Sequence, residues 1–225
     1  MEGTVGPLTA ELTQKLISAM RELNEMKVLS LALDMVEAEE SAYTIFEALL
    51  EGIRQVDERY ESGEYFIADL IMAGHIMQSV MDTALVFPDT EESGGMGSVL
   101  ICTVQGDIHD LGKRVVAEVL THNGFRVRDL GVDVSPESTI AALRETMPDI
   151  LILSGTLNLS AKSMRETIRA VEKSGLRHTV RILVGGAAVK DISPRVLGAD
   201  GKSDTILDAL GKCHGFMALA AGDGL

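Results

Sequence analysis

The chain has no tryptophan and few aromatic residues of any kind, 4% of its 225 residues. Stacking platforms for bases or sugars are built from such rings, so binding of that kind is disfavoured. Cations are also scarce. Twenty Lys and Arg against 34 Asp and Glu leave a formal net charge of −14 and a pI near 4.7. A nucleic-acid backbone would be repelled by such a surface. There are only two cysteines, Cys102 and Cys213, and no Cys-x-x-Cys pair. A disulfide framework is not indicated, and the chain suits a reducing compartment. No apolar run reaches membrane-spanning length. The opening MEGTVGPLTAEL lacks the basic-then-apolar pattern of a secretory signal. The expectation is a soluble cytoplasmic protein with no nucleic-acid or membrane partner.

What is abundant is aliphatic: 46% of the residues are hydrophobic, enough for one large core or two small ones. The texture changes across PDTEESGGMGS, residues 88–98, whose Pro, Gly, Ser and acidic residues have linker chemistry. Before it, four stretches carry apolar residues at three- and four-residue spacings, with Thr9, Ser41 and Ser62 as caps or turn residues and Gly63 after the third. This reads as a four-helix bundle at about 7–87. After it, short β-branched runs at 98–104, 126–131, 149–154 and 181–186 alternate with helical stretches at 112–123, 137–146, 160–174, 188–197 and 204–219. Alternation with continuous apolar strands predicts a parallel sheet covered on both faces. The expected order is the flavodoxin-like 2-1-3-4-5, with a short fifth strand at 198–200. The expected boundaries are 1–87 for a helical domain, 88–97 for the linker and 98–225 for the α/β domain, an α + α/β class overall.

In such a sheet, ligands bind beyond the carboxyl ends of the strands, near the switch between the first and third. The unusual residues gather there. GDIHDLG leaves the first strand with Asp107, His109 and Asp110 close together, SGTLNLS leaves the third from Ser154, and Gly185-Gly186 leaves the fourth. Each has a plain alternative. A loop histidine is often just a surface residue, a serine at a strand end can bond backbone, and paired glycines make turns. Other uses of such a crevice fit poorly. A phosphoacceptor domain needs a carboxylate where Ser154 stands, QGDIHDLG is not hydroxyl-rich enough for a flavin phosphate, and no dinucleotide fingerprint is present. A zinc site from Asp107, His109 and Asp110 lacks a second His or Cys at ligand spacing.

Taken jointly, Asp107-x-His109-x-x-Gly112, then 41 residues, then Ser154-Gly155-Thr156, then 28 residues, then Gly185-Gly186 resembles the DxHxxG…SxL…GG signature of cobalamin-binding corrinoid proteins. EGIRQVDERYESGEYFIADLIMAGHIMQSVM is similar to the last two helices of the helical cap that precedes the corrinoid domain in methyltransferase-type members. The resemblance thus covers nearly the whole chain. Two departures stand out: Thr156 occupies the Leu position of SxL, with Leu157 next to it, and GADGKSDTILDAL lacks the aromatic often found after GAD.

The resemblance implies that His109 replaces the cofactor's own benzimidazole as lower axial ligand to cobalt, with the displaced nucleotide tail in the crevice. Asp107 would accept the other imidazole N–H, and Ser160 would continue the relay, coupling protonation to the cobalt oxidation state. Asp110, Leu111 and Gly112 belong to the cofactor loop, with Asp110 also a candidate helix cap. Ser154, Thr156 and Leu157, with Gly185 and Gly186, would line the tail pocket. From the cap, Phe66, Leu70, Met72, Met77 and Met81 are candidates to cover the upper face, with Phe66 and Met72 foremost, although a Met and Leu stripe at helical spacing is more often bundle core. His75, His122, His178 and His214 are expected at the surface, and Cys102 as inert core.

What the family implies is a methyl carrier, not catalytic alone, working between a substrate-specific methyltransferase and an acceptor methyltransferase using tetrahydrofolate or a thiol, with a corrinoid-reactivating protein as a further partner. A cobalamin-dependent sensor is the alternative, but its usual basic DNA-binding domain is missing. A mutase subunit would lack this cap, and a flavodoxin-like module without corrinoid would leave the joint spacing to chance.

Overall fold

A computed structural model describes residues 7–81, 83 and 95–222, which divide between two compact units, Met1–Asp89 and Thr90–Leu225. The first is helical: α1 (Pro7–Arg21), α2 (Glu25–Glu37), α3 (Ala42–Glu61) and α4 (Ile67–Met81). Asn24 and Ser41 start α2 and α3, their side-chain oxygens accepting from Lys27 N and Thr44 N at 3.1 Å each, which satisfies N–H groups that a helix start leaves unpaired. Thr9 falls inside α1, and Ser62 ends α3 rather than starting α4. The apolar stripes meet around Leu16, Met20, Val28, Met35, Ile45, Phe46, Leu49 and Ile76. α1 and α3 approach closely at Gly52, where a Cβ would lie 2.5 Å from that of Met20. Met77 and Met81 also face this core. The helical phase that buries Ala73 and Val80 buries them too, which removes both from the candidates for an outward, cofactor-facing role.

The second unit is a five-stranded, wholly parallel sheet in the order β2-β1-β3-β4-β5. Its strands are β1 (Gly97–Thr103), β2 (Phe125–Asp129), β3 (Ile150–Ser154), β4 (Arg181–Gly185) and β5 (Gly201–Ser203). The helices are α5 (Leu111–His122), α6 (Pro136–Thr146), α7 (Ser160–Lys173), α8 (Pro194–Leu197) and α9 (Ile206–Gly222). Alternate strand residues feed two cores. Leu100, Cys102, Leu151, Leu153, Ile182 and Val184 pack with α6 and α7 residues such as Leu143, Met164 and Ile168. Val99, Ile101, Ile150, Ile152 and Leu183 pack with Leu120, Phe125, Ala209 and Cys213. Burial pushes both thiols up to about 12, so they stay protonated and unreactive.

Three expectations need correction. The fifth strand is Gly201–Ser203, not 198–200, because Gly198 adopts a left-handed φ of 86° that ends α8. The stretch 188–197 is not one helix but a 3₁₀ turn at Ala187–Val189 and the short α8, separated because Pro194 can only open a helix. His214 is half-buried, edge-on to Phe125 with ring centres 5.3 Å apart. The expected linker, 88–97, lies mostly outside the described residues, and its last residue, Gly97, already belongs to β1.

Candidate functional site

The strand register lines up Thr103, Ser154, Gly185 and Ser203 at the carboxyl ends of β1, β3, β4 and β5. The loops leaving those ends carry the residues singled out in the sequence, so segments distant in the chain converge here.

The centre is Asp107, whose residue is wholly buried. Its Oδ1 accepts from the main-chain N–H of His109 at 3.0 Å and from His109 Nδ1 at 2.7 Å. Its Oδ2 accepts from Ser160 Oγ at 2.6 Å, Thr156 N at 2.7 Å and Leu157 N at 3.1 Å. Burial alone would raise the carboxyl's pKa, but the bonds from Ser160, His109, Thr156 and Leu157 outweigh it and hold the group well below the usual carboxylate range. An ionised carboxylate only accepts, so the bonded Nδ1 of His109 carries the proton. When the ring is neutral, its lone pair is then on Nε2. The imidazole is about half exposed, 52%, so this nitrogen is offered outward by a buried, fixed support.

Thr156 and Leu157 reach Asp107 through main-chain N–H groups. That contact does not depend on side-chain identity, so Thr156 makes it with its backbone alone. Ser154 ends β3 half-buried, its carbonyl accepting from Val104 N at 3.1 Å. Asp110 precedes α5, but its side chain makes no capping bond, contrary to expectation; only its carbonyl takes part, accepting from Arg114 N at 2.8 Å. Leu111 opens α5, and Gly112 follows with open space around the position a Cβ would take. Gly185 and Gly186 are different, since a side chain there would meet protein. A Cβ on Gly185 would lie 2.8 Å from Ser203 Oγ. On Gly186, whose φ is 98°, it would lie 2.3 Å from the Gly155 carbonyl oxygen. Beside them, Gly186, Ala187, Lys190, Asp191, Ser203 and Asp204 line a cavity of about 450 Å³.

In the helical unit, Phe66 is 71% and Met72 is 44% exposed, with Ile67 and Ile71 exposed near them and Leu70 half-buried. Asp69 accepts from Phe66 N at 2.7 Å and fixes the start of α4. His75, His122 and His178 are exposed.

Several neighbours of the site were not singled out in the sequence. Thr103 and Asp133 bond the loop that carries His109. Lys113, whose side chain is buried, pairs with Asp129 at the end of β2. Ile108, Val132 and Leu159 leave apolar surface exposed on the loops of this rim. The GK step after DIHDL was the available hint of Lys113. Asp133 lies in a segment with no pattern of its own.

Among the described residues, no group of three or more His, Cys, Asp and Glu side chains could hold a metal ion. A single outward imidazole suits a metal whose other ligands come with it, as in a metallomacrocycle. The fixed Nδ1–H and the open space at Gly112 fit such a group. No helix among the described residues is long and apolar enough to cross a membrane.

A family model described as a B12 binding domain matches residues 97–210, and a second of the same description matches residues 12–84. A corrinoid protein of Desulfitobacterium hafniense is 30% identical over 74% of this chain and 79% of its own. Trimethylamine corrinoid protein 1 of Methanosarcina acetivorans is 30% identical over 83% of this chain and 84% of its own. The solved monomethylamine corrinoid protein of Methanosarcina barkeri superposes with a TM-score of 0.83 at 27% identity, covering 91% of this chain and 98% of that one.

Proposed function

The chain belongs to the B12-binding corrinoid proteins and binds cobalamin, and from that premise we propose that it is a methyl carrier that holds the cofactor with its own base displaced and His109 as lower axial ligand. The observation that carries this reading is the five-bond anchorage of Asp107, which leaves His109 one outward lone pair. When bound, the cobalt centre supplies both the nucleophile that takes up a methyl group and the leaving group that gives it away.

The chain's own residues would bind and orient. Asp107 fixes the tautomer and direction of His109, as partners of ligating histidines do. Ser160, Thr156 and Leu157 fix Asp107, and Ser160, which alone of the three reaches it through a side-chain hydroxyl, is the group through which a proton could be passed on. Gly112 keeps the loop clear. Ser154, Thr156, Leu157, Gly185 and Gly186 belong to the crevice for the displaced tail, with Asp110 and Leu111 at its entrance. Residues 1–87 act as a cap, with Phe66 and Met72 as its apolar contacts, and residues 98–225 as the cobalamin domain.

The relatives named for trimethylamine and monomethylamine support a place in a methyltransferase system. We assign one partner that loads methyl from a small donor and one that removes it to tetrahydrofolate or a thiol, with a reactivating protein to restore the reduced cofactor. The carrier is not catalytic alone. Its two protonated, buried thiols suit the cytoplasm.

The test is the Co(II) EPR spectrum of protein loaded with hydroxocobalamin carrying ¹⁵N in its benzimidazole, desalted and reduced, beside His109→Ala. Retained corrinoid with a ¹⁴N splitting that the variant loses is the expected result. Failure to retain corrinoid, or a ¹⁵N pattern unchanged in the variant, overturns the assignment of His109.

A further inference from the structure

His109 is held by more than Asp107. Its carbonyl accepts from Oγ1 of the buried Thr103 at 3.0 Å. The residues just before it are gripped by the connection between β2 and α6. Asp133 Oδ1 accepts from Gly106 N at 2.8 Å, and Asp133 N donates to the Asp107 carbonyl at 2.9 Å. Asp133 makes both bonds from a left-handed backbone, φ 52°, uncommon for a residue with a side chain. Glycine would adopt that conformation freely, but it has no carboxylate to take the Gly106 N–H.

This connection is itself anchored on both sides of Asp133. Thr103 N donates to the Gly131 carbonyl at 3.0 Å, Val134 N donates to the Thr103 carbonyl at 3.1 Å, and Val104 and Val134 form a parallel bridge. At its base, Asp129 Oδ1 accepts from Gly131 N at 2.8 Å, while Oδ2 takes the buried Lys113 ammonium. The loop of His109 and the β2–α6 connection therefore form one fixed piece, joined at Gly106 and Asp107 through a single side chain and its own N–H.

We propose that Asp133 is a positioning residue for His109. Asp107 sets the tautomer and direction of the ring; Asp133 sets where the Asp107–His109 pair stands. This rests on the reading of His109 as a cobalt ligand. Without the carboxylate, Gly106 loses its acceptor. The pair can then shift together, its own bond intact, and the imidazole no longer sits at one distance from the metal.

The test compares full-length wild type, Asp133→Gly and Asp133→Asn, each loaded with ¹⁵N-benzimidazole cobalamin and reduced to Co(II). Glycine relieves the backbone and removes the acceptor, so its apo form should melt with wild type. Asparagine tolerates the same backbone and restores an acceptor oxygen. Partners of a ligating histidine are worth about 10–100-fold in metal affinity. The expected result is corrinoid retention weakened about tenfold in Asp133→Gly, with its His109 ¹⁴N splitting broadened or partly lost, and Asp133→Asn within about twofold of wild type. Wild-type retention and splitting in Asp133→Gly overturns the proposal, as does an equal loss in both variants, since the acceptor would then not be what matters. A wild type without the ¹⁴N splitting refutes the reading of His109 itself, and the proposal falls with it.

Discussion

Replacing Asp107 by asparagine tests the site at its most connected point. The carboxylate accepts five hydrogen bonds, two at Oδ1 and three at Oδ2. An amide has one accepting oxygen, and its NH₂ would face donors on the other side. The less costly orientation keeps the oxygen toward Ser160, Thr156 and Leu157. The NH₂ then confronts the His109 main-chain N–H and its ring Nδ1–H. The ring can relieve one conflict by moving its proton to Nε2, so that Nδ1 accepts. That leaves the part-buried His109 N–H unpaired and three bonds weakened by loss of charge, a cost of about 2–4 kcal/mol.

Two measurements follow. Urea unfolding of the apo protein should show that loss. Imidazole ¹⁵N shifts should show the Nδ1–H tautomer in wild type and Nε2–H in the variant, which would also lose the coordinating lone pair. The stability difference should depend on pH. Asp107 has a depressed folded pKa, so its contribution is complete above its unfolded value of about 3.9 and is lost as pH falls through the folded value. Wild type and variant should therefore converge on acidification. Equal stability at neutral pH, or an unchanged tautomer, would refute the anchoring role of Asp107.

Gly186→Ala should destabilise the apo protein, by about 1–3 kcal/mol or more, because its Cβ would overlap the Gly155 carbonyl; Gly112→Ala should leave apo stability unchanged or slightly raised yet reduce corrinoid retention, and urea titration with a desalting assay separates the two. Asp129→Ala leaves the buried Lys113 ammonium unpaired and should cost about 3–5 kcal/mol, whereas adding Lys113→Met should recover most of it. Thermal unfolding of the single and double variants checks that asymmetry.

The sheet was legible because its inner strands are unbroken apolar runs, and SVLICTV, DILILS and RILVGG admit little else. The place of strand β5 was not, since Gly-Lys-Ser has little strand propensity and its position is set by its pairing with β4. The site was legible where its chemistry is local. Asp107 and His109 are two residues apart, and the pairing of a carboxylate with an imidazole follows from spacing and family pattern together. Asp133 and Lys113 were not, because their partners are set by how β2 registers on β1, and no sequence period reports that. Met77 and Met81 were ambiguous for the same reason, as a helical stripe does not say which neighbour it meets.

The contact at Gly155 and Gly186 bears on how the length of this chain can vary. Gly155 N donates to the Gly185 carbonyl at 3.2 Å, and Ala188 N donates to the Gly155 carbonyl, also at 3.2 Å. The two loop starts are thus locked together, with no space for a side chain between them. α7, the turn after it and β4 connect these fixed ends. An inserted residue near either glycine would break the lock, and one inside α7 would rotate its buried face by about 100°. In the turn at 174–180, Leu176 and Val180 are tied to the core and Arg177 to Gly198 and Asp200, so extra length disturbs least beside the exposed His178 and Thr179.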